Sequence, residues 1–356
     1  MSWARMDNEA ARRRLLVGLC WLTTLFAVFA LTQGSVVIPV SEVVRIVGAG
    51  IGVGSLPQDG SANATIITEL RTPRVLLALL IGAALAQSGA AMQGIFRNPL
   101  ADPGLVGVAS GASLAAVANL VLGATLWPQW NTQFSGLSTP LAAFAGGGIA
   151  AWLALKLAQR DGHTQVATLL LAGLALNAIA GAGIGLLSQI ASDSGLRIAT
   201  HWLFGSLGKA GWIELKLAAP LLLTTLVLIN RQARHLDALL LGEAEAGHLG
   251  IPVERLKRRS LTLIVLAVAS CVALAGVVGF IGLIVPHLIR LIAGPGHRLL
   301  LPASALGGAA LLCVADLFAR TLMAPVELPV GILTALVGGP FFLALLVKYR
   351  GRVETW

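Results

Sequence analysis

Apolar runs dominate the 356-residue chain and alternate with short polar connections. A helix that crosses a bilayer needs about 20 mostly apolar residues. Ten runs approach that length, at about 15–33, 74–95, 104–123, 139–157, 166–190, 211–229, 260–276, 277–293, 300–320 and 329–348. The seventh and eighth are the least regular. Between Cys271 and Ile292 stand Gly276, Gly279 and Gly282, followed by Pro286, which predicts a short or broken pair. Such backbone is tolerated at membrane depth only against protein or a water-filled cavity. The pattern predicts an all-α integral membrane protein. It has a tail at 1–14, one membrane unit at 15–350 and a second tail at 351–356. Arg12-Arg13-Arg14 ahead of Leu15–Leu31 has the charge pattern of a secretory signal. No A-x-A cleavage pattern follows the run, so a first transmembrane helix is expected.

Composition agrees with the pattern. Hydrophobic residues make up 56% of the chain and charged residues 12%, against roughly 25% charged in soluble domains. The 41 glycines suit closely packed transmembrane helices. A net charge of +9 is compatible with nucleic-acid binding, but the basic residues gather at segment ends and not on one polar face. With the N-terminus in the cytoplasm, the outer side holds only Arg45, Arg71, Arg74, Arg197, Lys209, Lys216 and Arg320. The remaining Lys and Arg are then inside, as the positive-inside bias requires. An even number of spans places both termini there. Cys20, Cys271 and Cys313 all lie within apolar runs and read as small hydrophobic residues, with no CxxC pair.

The longest charged stretch is Asn230–Ser260, between the sixth and seventh runs. Leu236–Leu241 and Ala244–Leu249 can form two short helices around Gly242-Glu243, and Gly250-Ile251-Pro252 stops the second. Such a pair can sit in a groove on a soluble subunit and move with it. Equally open on spacing alone is a solvated loop held at lipid headgroups by Arg255, Lys257, Arg258 and Arg259. No catalytic or metal-binding motif accompanies it. Gly208-Lys209-Ala210 lacks the upstream glycine and the hydroxyl of a phosphate loop, and neither HExxH nor GxSxG occurs. Ion-driven carriers usually show buried ionisable groups as coupling sites. Asp316 is the nearest candidate, and Arg320, one turn later, is its expected partner. The pathway is therefore expected to be neutral, with its energy supplied from elsewhere. Equal spacing of Gly89 to Pro99 and Gly276 to Pro286 hints at two related halves, or at coincidence in a glycine-rich chain.

Several stretches resemble one family. Arg71-Thr72-Pro73-Arg74 followed by GAALAQSGAAMQGIFRNPLADPGLVGVASGA (82–112) is similar to the signature of FecCD-type permeases. Those are the membrane subunits of ABC importers for iron–siderophore complexes, haem and vitamin B12. LLLAGLALN (169–177), LLLGEAEAGHLGI (239–251), GFIGLIVPHLIRLIAGPGHRLLLPASAL (279–306) and ADLFARTLMAPVELPVGILTALVGGPFF (315–342) extend the likeness. The resemblance covers roughly residues 15–350. It implies a type II ABC importer permease of ten helices in the bacterial inner membrane. It also implies a homodimer with the pathway on its axis, two ATPase subunits in the cytoplasm that bind ATP, and a periplasmic binding protein outside. No permanent cofactor and no metal site are implied.

Carried over by position, Arg71, Arg74 and Arg320 match arginines that receive acidic residues of the binding protein. Asn98, Pro99 and Leu100 match the segment that closes the cytoplasmic end. Val166 and Ala167, within Gln165–Thr168, match a second gate element, though the small hydroxyl run of some relatives is not kept here. Leu239, Gly242, Glu243, Ala246, Leu249 and Gly250 match the helices that contact the ATPase. GEAEAGHLG with ARTLMAPVELPVG is most similar to haem permeases, which implies haem as cargo; a ferric siderophore or vitamin B12 is the alternative. The six histidines form no i, i+4 pair, and His201 beside Trp202 is the candidate haem contact at the outer mouth. An ion-driven carrier that uses Asn230–Ser260 for regulation is the reading from a different class.

Overall fold

The computed structural model describes residues 9–50, 52, 62–134, 136–160 and 162–349; residues 1–8 of the expected 1–14 tail and the whole 351–356 tail lie outside them, and 9–14 already belong to the first helix. In chain order the helices are α1 (Glu9–Thr32), α2 (Val40–Gly50), α3 (Ala62–Thr65), α4 (Thr72–Phe96), α5 (Val108–Leu126), α6 (Pro128–Gln133), α7 (Ser138–Ala158) and α8 (Val166–Ile190). They continue as α9 (Asp193–Leu203), α10 (Trp212–Arg231), α11 (Ala233–Leu239), α12 (Glu243–His248), α13 (Val253–Ala275), α14 (Ile281–Ala293), α15 (His297–Thr321) and α16 (Val330–Tyr349). A π-helical turn, Ile66–Arg71, runs α3 into α4, and a 3-10 turn, Pro103–Val106, precedes α5.

Each of the ten apolar runs contains a helix, although 277–280 of the eighth form a non-helical link ahead of α14. Eight are long and apolar enough to cross a membrane, and α14 and α16 are shorter apolar helices. The irregular pair takes the expected form: α13 stops at Ala275, and α14 has only 13 residues. Gly276 ends α13 with φ of 67°, a left-handed conformation that glycine adopts at little cost. The seventh span starts at Val253, seven residues before the apolar run, because the charged turn 254–259 continues the helix into the inner interface. The all-α expectation has one small exception, an antiparallel ladder of β1 (Gln159–Arg160) and β2 (His163–Thr164).

α4 is the central helix. Its sequence has no polar face, and apolar positions all round suit a helix enclosed by others. From Ile81 to Ile95 every residue is buried. α4 packs against α15, α14, α10 and α13. α1, by contrast, buries only Thr23, Ala30 and Thr32 along its whole length. Small residues set the closest approaches. A Cβ added at Gly82 would overlap the Gly308 carbonyl of α15, and one at Gly89 would overlap the Gly282 carbonyl of α14.

Candidate functional site

Two polar clusters occupy opposite ends of the antiparallel pair α4–α15. At the end where α4 begins, Arg74 forks across two carboxylates. Its Nη2 lies 3.0 Å from Asp316 Oδ1 and its Nη1 2.8 Å from Glu327 Oε1, and its Nε donates to both Asp316 oxygens at 3.1 Å. Arg320 Nε is 3.7 Å from Asp316 Oδ2, and Arg320 Nη2 donates to the Ala30 carbonyl of α1. Arg71 donates through Nη1 to the Leu31 carbonyl at 2.7 Å and through Nη2 to the Val36 carbonyl.

The three arginines expected at the outer face therefore share one end, as their topology required, but each is engaged within the chain. Arg71 and Arg320 are 5% and 8% exposed. Asp316 does pair with Arg320, yet Arg74 makes the closer, bidentate contact. Local spacing shows the i, i+4 partner, whereas the one 242 residues away carries no local signal. Glu327, in the 322–329 connection, likewise carries none. Its hydrogen bond from Arg74 holds its carboxyl below the ordinary range. A depressed carboxylate keeps its charge as pH falls through the usual titration range. The Arg74–Glu327 link is thus complete above the unfolded pKa and lost only under stronger acid.

At the other end, α4 leaves the bundle through a turn. Arg97 adopts φ of 49°, and Asn98 Oδ1 accepts from the Leu100 N–H at 2.9 Å. Pro99 disfavours helix at Asn98, so the chain does not resume the helix that ended at Phe96. Asp102 then caps the 3-10 turn by accepting from Gly104 N–H at 2.7 Å. Burial pushes the Asp102 carboxyl up, and that hydrogen bond pulls it back. Val166 and Ala167 open α8. The segment that seats against α8 is Leu105–Gly107, which meets Gly173, Leu176 and Asn177, about two turns deeper.

The anticipated helix pair forms as α11 and α12, at 233–239 and 243–248 where 236–241 and 244–249 were expected, split by Gly242 at φ of 130° and followed by Gly250 at φ of 79°. Leu239 and Ala246 are fully buried and hold the pair to the bundle. Glu243 and Leu249 are exposed. Lys257 is 4% exposed, and its Nζ lies 2.6 Å from Glu243 Oε1. That removes Lys257 from the four residues expected at lipid headgroups, because its charge is spent on tying α13 to α12. Two further links escaped the sequence. Asp237 of α11 accepts from the His297 backbone N–H and lies 3.0 Å from the His297 ring Nδ1. The buried ring abuts Gly94 of α4, one turn before Asn98. Glu254 accepts from Thr164 N at 3.1 Å and from its hydroxyl, which joins the start of α8 to α13. Each link pairs residues far apart in sequence, so no local pattern could show it.

His201 is exposed on α9, and Trp202 is half-buried, with its carbonyl against Gly276. Among the described residues no group of three His, Cys, Asp or Glu could hold a metal.

This arrangement of spans, broken α13–α14 pair and inner helix pair has close relatives. The model of the FecCD transport family matches residues 22–348. The chain belongs to that family. It is 49% identical over 282 residues to the hemin transport system permease protein HmuU of Yersinia pestis, covering 79% of this chain and 83% of the relative. The cobalamin import system permease protein BtuC of Halobacterium salinarum is 44% identical over 281 residues, with 79% and 73% covered. A solved metal-chelate type ABC transporter in an inward-facing conformation aligns with a TM-score of 0.76 at 32% identity, over 94% of this chain and 99% of that one. The chain is thus a multi-pass ABC importer permease of the FecCD family, a transport subunit.

Proposed function

We propose that this permease moves haem inward across the bacterial inner membrane. It works as a homodimer on two cytoplasmic ATPases and takes its cargo from a periplasmic binding protein. The observation that carries the ATP-driven reading is the join at the inner end. Asp237 of α11 holds His297 of α15, and the His297 ring abuts Gly94 of α4 just before the Asn98–Leu100 turn. A push on α11–α12 thereby reaches the helix that ends in the gate. An ion-driven carrier needs no such lever. For the cargo, support comes from the likeness to a hemin permease; cobalamin and iron chelates are the alternatives. His201 and Trp202 border the outer mouth in this reading.

Proteoliposomes with the cognate ATPase and binding protein test both halves. ATP-dependent hemin uptake is the expected result. Uptake of cobalamin but not hemin overturns the cargo, and uptake on an ion gradient without ATP overturns the class.

Docking is proposed to work through the outer cluster. Glu327 is the more exposed of the two carboxylates on Arg74, at 39% against 2% for Asp316. An acidic side chain of the binding protein would compete for the same guanidinium fork.

Two changes probe the inner end. Glu243→Arg removes the Lys257 contact and places two cations together. We expect normal membrane insertion with ATP-driven uptake reduced at least about tenfold, as loss of a charged pair beside a buried cation implies. Uptake at the wild-type rate would exclude Glu243 from coupling. Leu100→Ala shortens the side chain beside the Asn98 turn and is expected to raise passive leak of a small dye from resting proteoliposomes. Vesicles as tight as wild type would place the seal elsewhere.

A further inference from the structure

On the inner flank of the coupling helices lies a cavity of about 310 Å³, where α10 ends, α11 begins and α13 enters the bundle. Its polar lining is Arg231, Gln232, His235, Arg255 and Arg259. The three arginines are exposed and have no acidic partner among the described residues, unlike Lys257 beside them. Three guanidinium groups around one space make it electropositive and attract an anion.

Gln232 gives an independent indication. It is 7% exposed, and its side-chain oxygen accepts from the Ser260 hydroxyl. Its Nε2 is buried and finds no acceptor among the described residues. A buried amide donor without a partner is costly, so natural sites supply one. Here the missing partner must accept, and the neighbouring charges require it to be negative. A phosphate meets both conditions and suits the arginine fork.

The remaining wall identifies the source. Leu228, Ile251 and Leu256 are apolar and line the same cavity. Leu228 lies on span α10, one turn before its end at Arg231. A free phosphate or nucleotide makes no use of an apolar wall that continues along a membrane span. A phospholipid does, because its phosphate and its first methylenes sit side by side at this depth. We propose that this cavity is a binding site for an anionic phospholipid headgroup, with Gln232 Nε2 and the three arginines as donors to the phosphate. The lipid would wedge between span α10 and the coupling helices, a place from which it can tune their position.

The test uses full-length permease in detergent, titrated with dioleoyl-phosphatidylglycerol, dioleoyl-phosphatidylcholine or inorganic phosphate. Bound lipid is read by native mass spectrometry and protection by thermal unfolding. Wild type should retain phosphatidylglycerol over phosphatidylcholine, and inorganic phosphate should give little protection. Arg255→Gln with Arg259→Gln should weaken phosphatidylglycerol retention about tenfold or more, since each cation near an anionic headgroup contributes several-fold. Arg13→Gln with Arg14→Gln removes the same charge from exposed positions on α1 and should change retention little. Gln232→Glu keeps the size of the side chain and the acceptor for Ser260 but turns the donor into a repelling carboxylate. It should lose the selectivity while the unliganded melting temperature stays within a few degrees of wild type. Equal retention by wild type and the Arg255/Arg259 variant overturns the site. Protection by inorganic phosphate equal to that by phosphatidylglycerol overturns the lipid source. Unchanged lipid retention combined with loss of ATPase assembly in the Arg255/Arg259 variant assigns the cavity to an acidic segment of that partner instead.

Discussion

Gly89→Val is expected to abolish folded permease. Gly89 is buried on α4, where a Cβ would overlap the backbone carbonyl of Gly282 on α14. A flexible side chain could swing away from a new methyl, but a carbonyl moves only with its helix. Overpacking a core usually costs about 1–3 kcal/mol. Separating two helix backbones at the centre of the bundle costs more, because every contact along that seam loosens with them. The Gly82–Gly308 contact would be lost in the same movement, since α15 packs on both helices. Monodisperse protein after detergent extraction is the quantity to follow, with Gly148→Ala alongside. Nothing lies within 4 Å of a Cβ at Gly148, so that variant should extract as wild type. A Gly89→Val protein with wild-type yield and melting temperature would mean that α4 and α14 do not approach at this point.

The spans were legible because a membrane helix announces itself locally. About 20 apolar residues in a row leave few alternatives, and positive charge at segment ends orients them. α11 and α12 were legible for a related reason: Gly242 and Gly250 break the chain where left-handed backbone is needed. α2 and α9 were not anticipated. Each has 11 residues and one polar face, so a filter for long apolar runs passes over them. The polar clusters at the two ends of the bundle were legible only in part. Arg71, Arg74 and Arg320 stood out as outer charges, but their partners did not. The Leu31, Val36 and Ala30 carbonyls carry no side-chain signal, and Glu327 reads as an ordinary loop acid. His297 and Asp237, 60 residues apart, meet only after α11 folds back onto α15. The buried polar links of this chain are tertiary facts, and one-dimensional spacing reports only those within a helical turn, such as Asp316 and Arg320.

Asp316→Ala should be the most damaging single charge removal in the molecule. Asp316 is buried and stands between Arg74 and Arg320, themselves largely buried. Without it, Arg74 keeps only Glu327, and Arg320 keeps only the Ala30 carbonyl. Removing one member of a buried ion pair typically costs about 3–5 kcal/mol, because the remaining charge is left desolvated. Here two like charges lose their shared counter-ion and repel each other as well. The α4–α15 link at the outer end and the Arg320 tie to α1 depend on those two arginines, and Arg71 on Leu31 is the tie that remains, so that end should open first. Glu327→Gln is the informative comparison. Its side chain is 39% exposed, and water can replace it on Arg74, so the expected stability loss is within about 1 kcal/mol. Thermal unfolding of the two variants in the same detergent separates the roles. A large drop for Asp316→Ala with little change for Glu327→Gln fits a buried strut beside a replaceable outer ligand. If Asp316→Ala melts with wild type, the arginines do not depend on it, and the outer cluster is not what holds these three helices together. Binding-protein affinity supplies the second readout. Glu327→Gln replaces the competing carboxylate on Arg74 with a weaker neutral acceptor and should tighten docking at low salt, with the gain shrinking as salt rises. Weaker docking in that variant would mean that Glu327 orients Arg74 for the partner and does not compete with it.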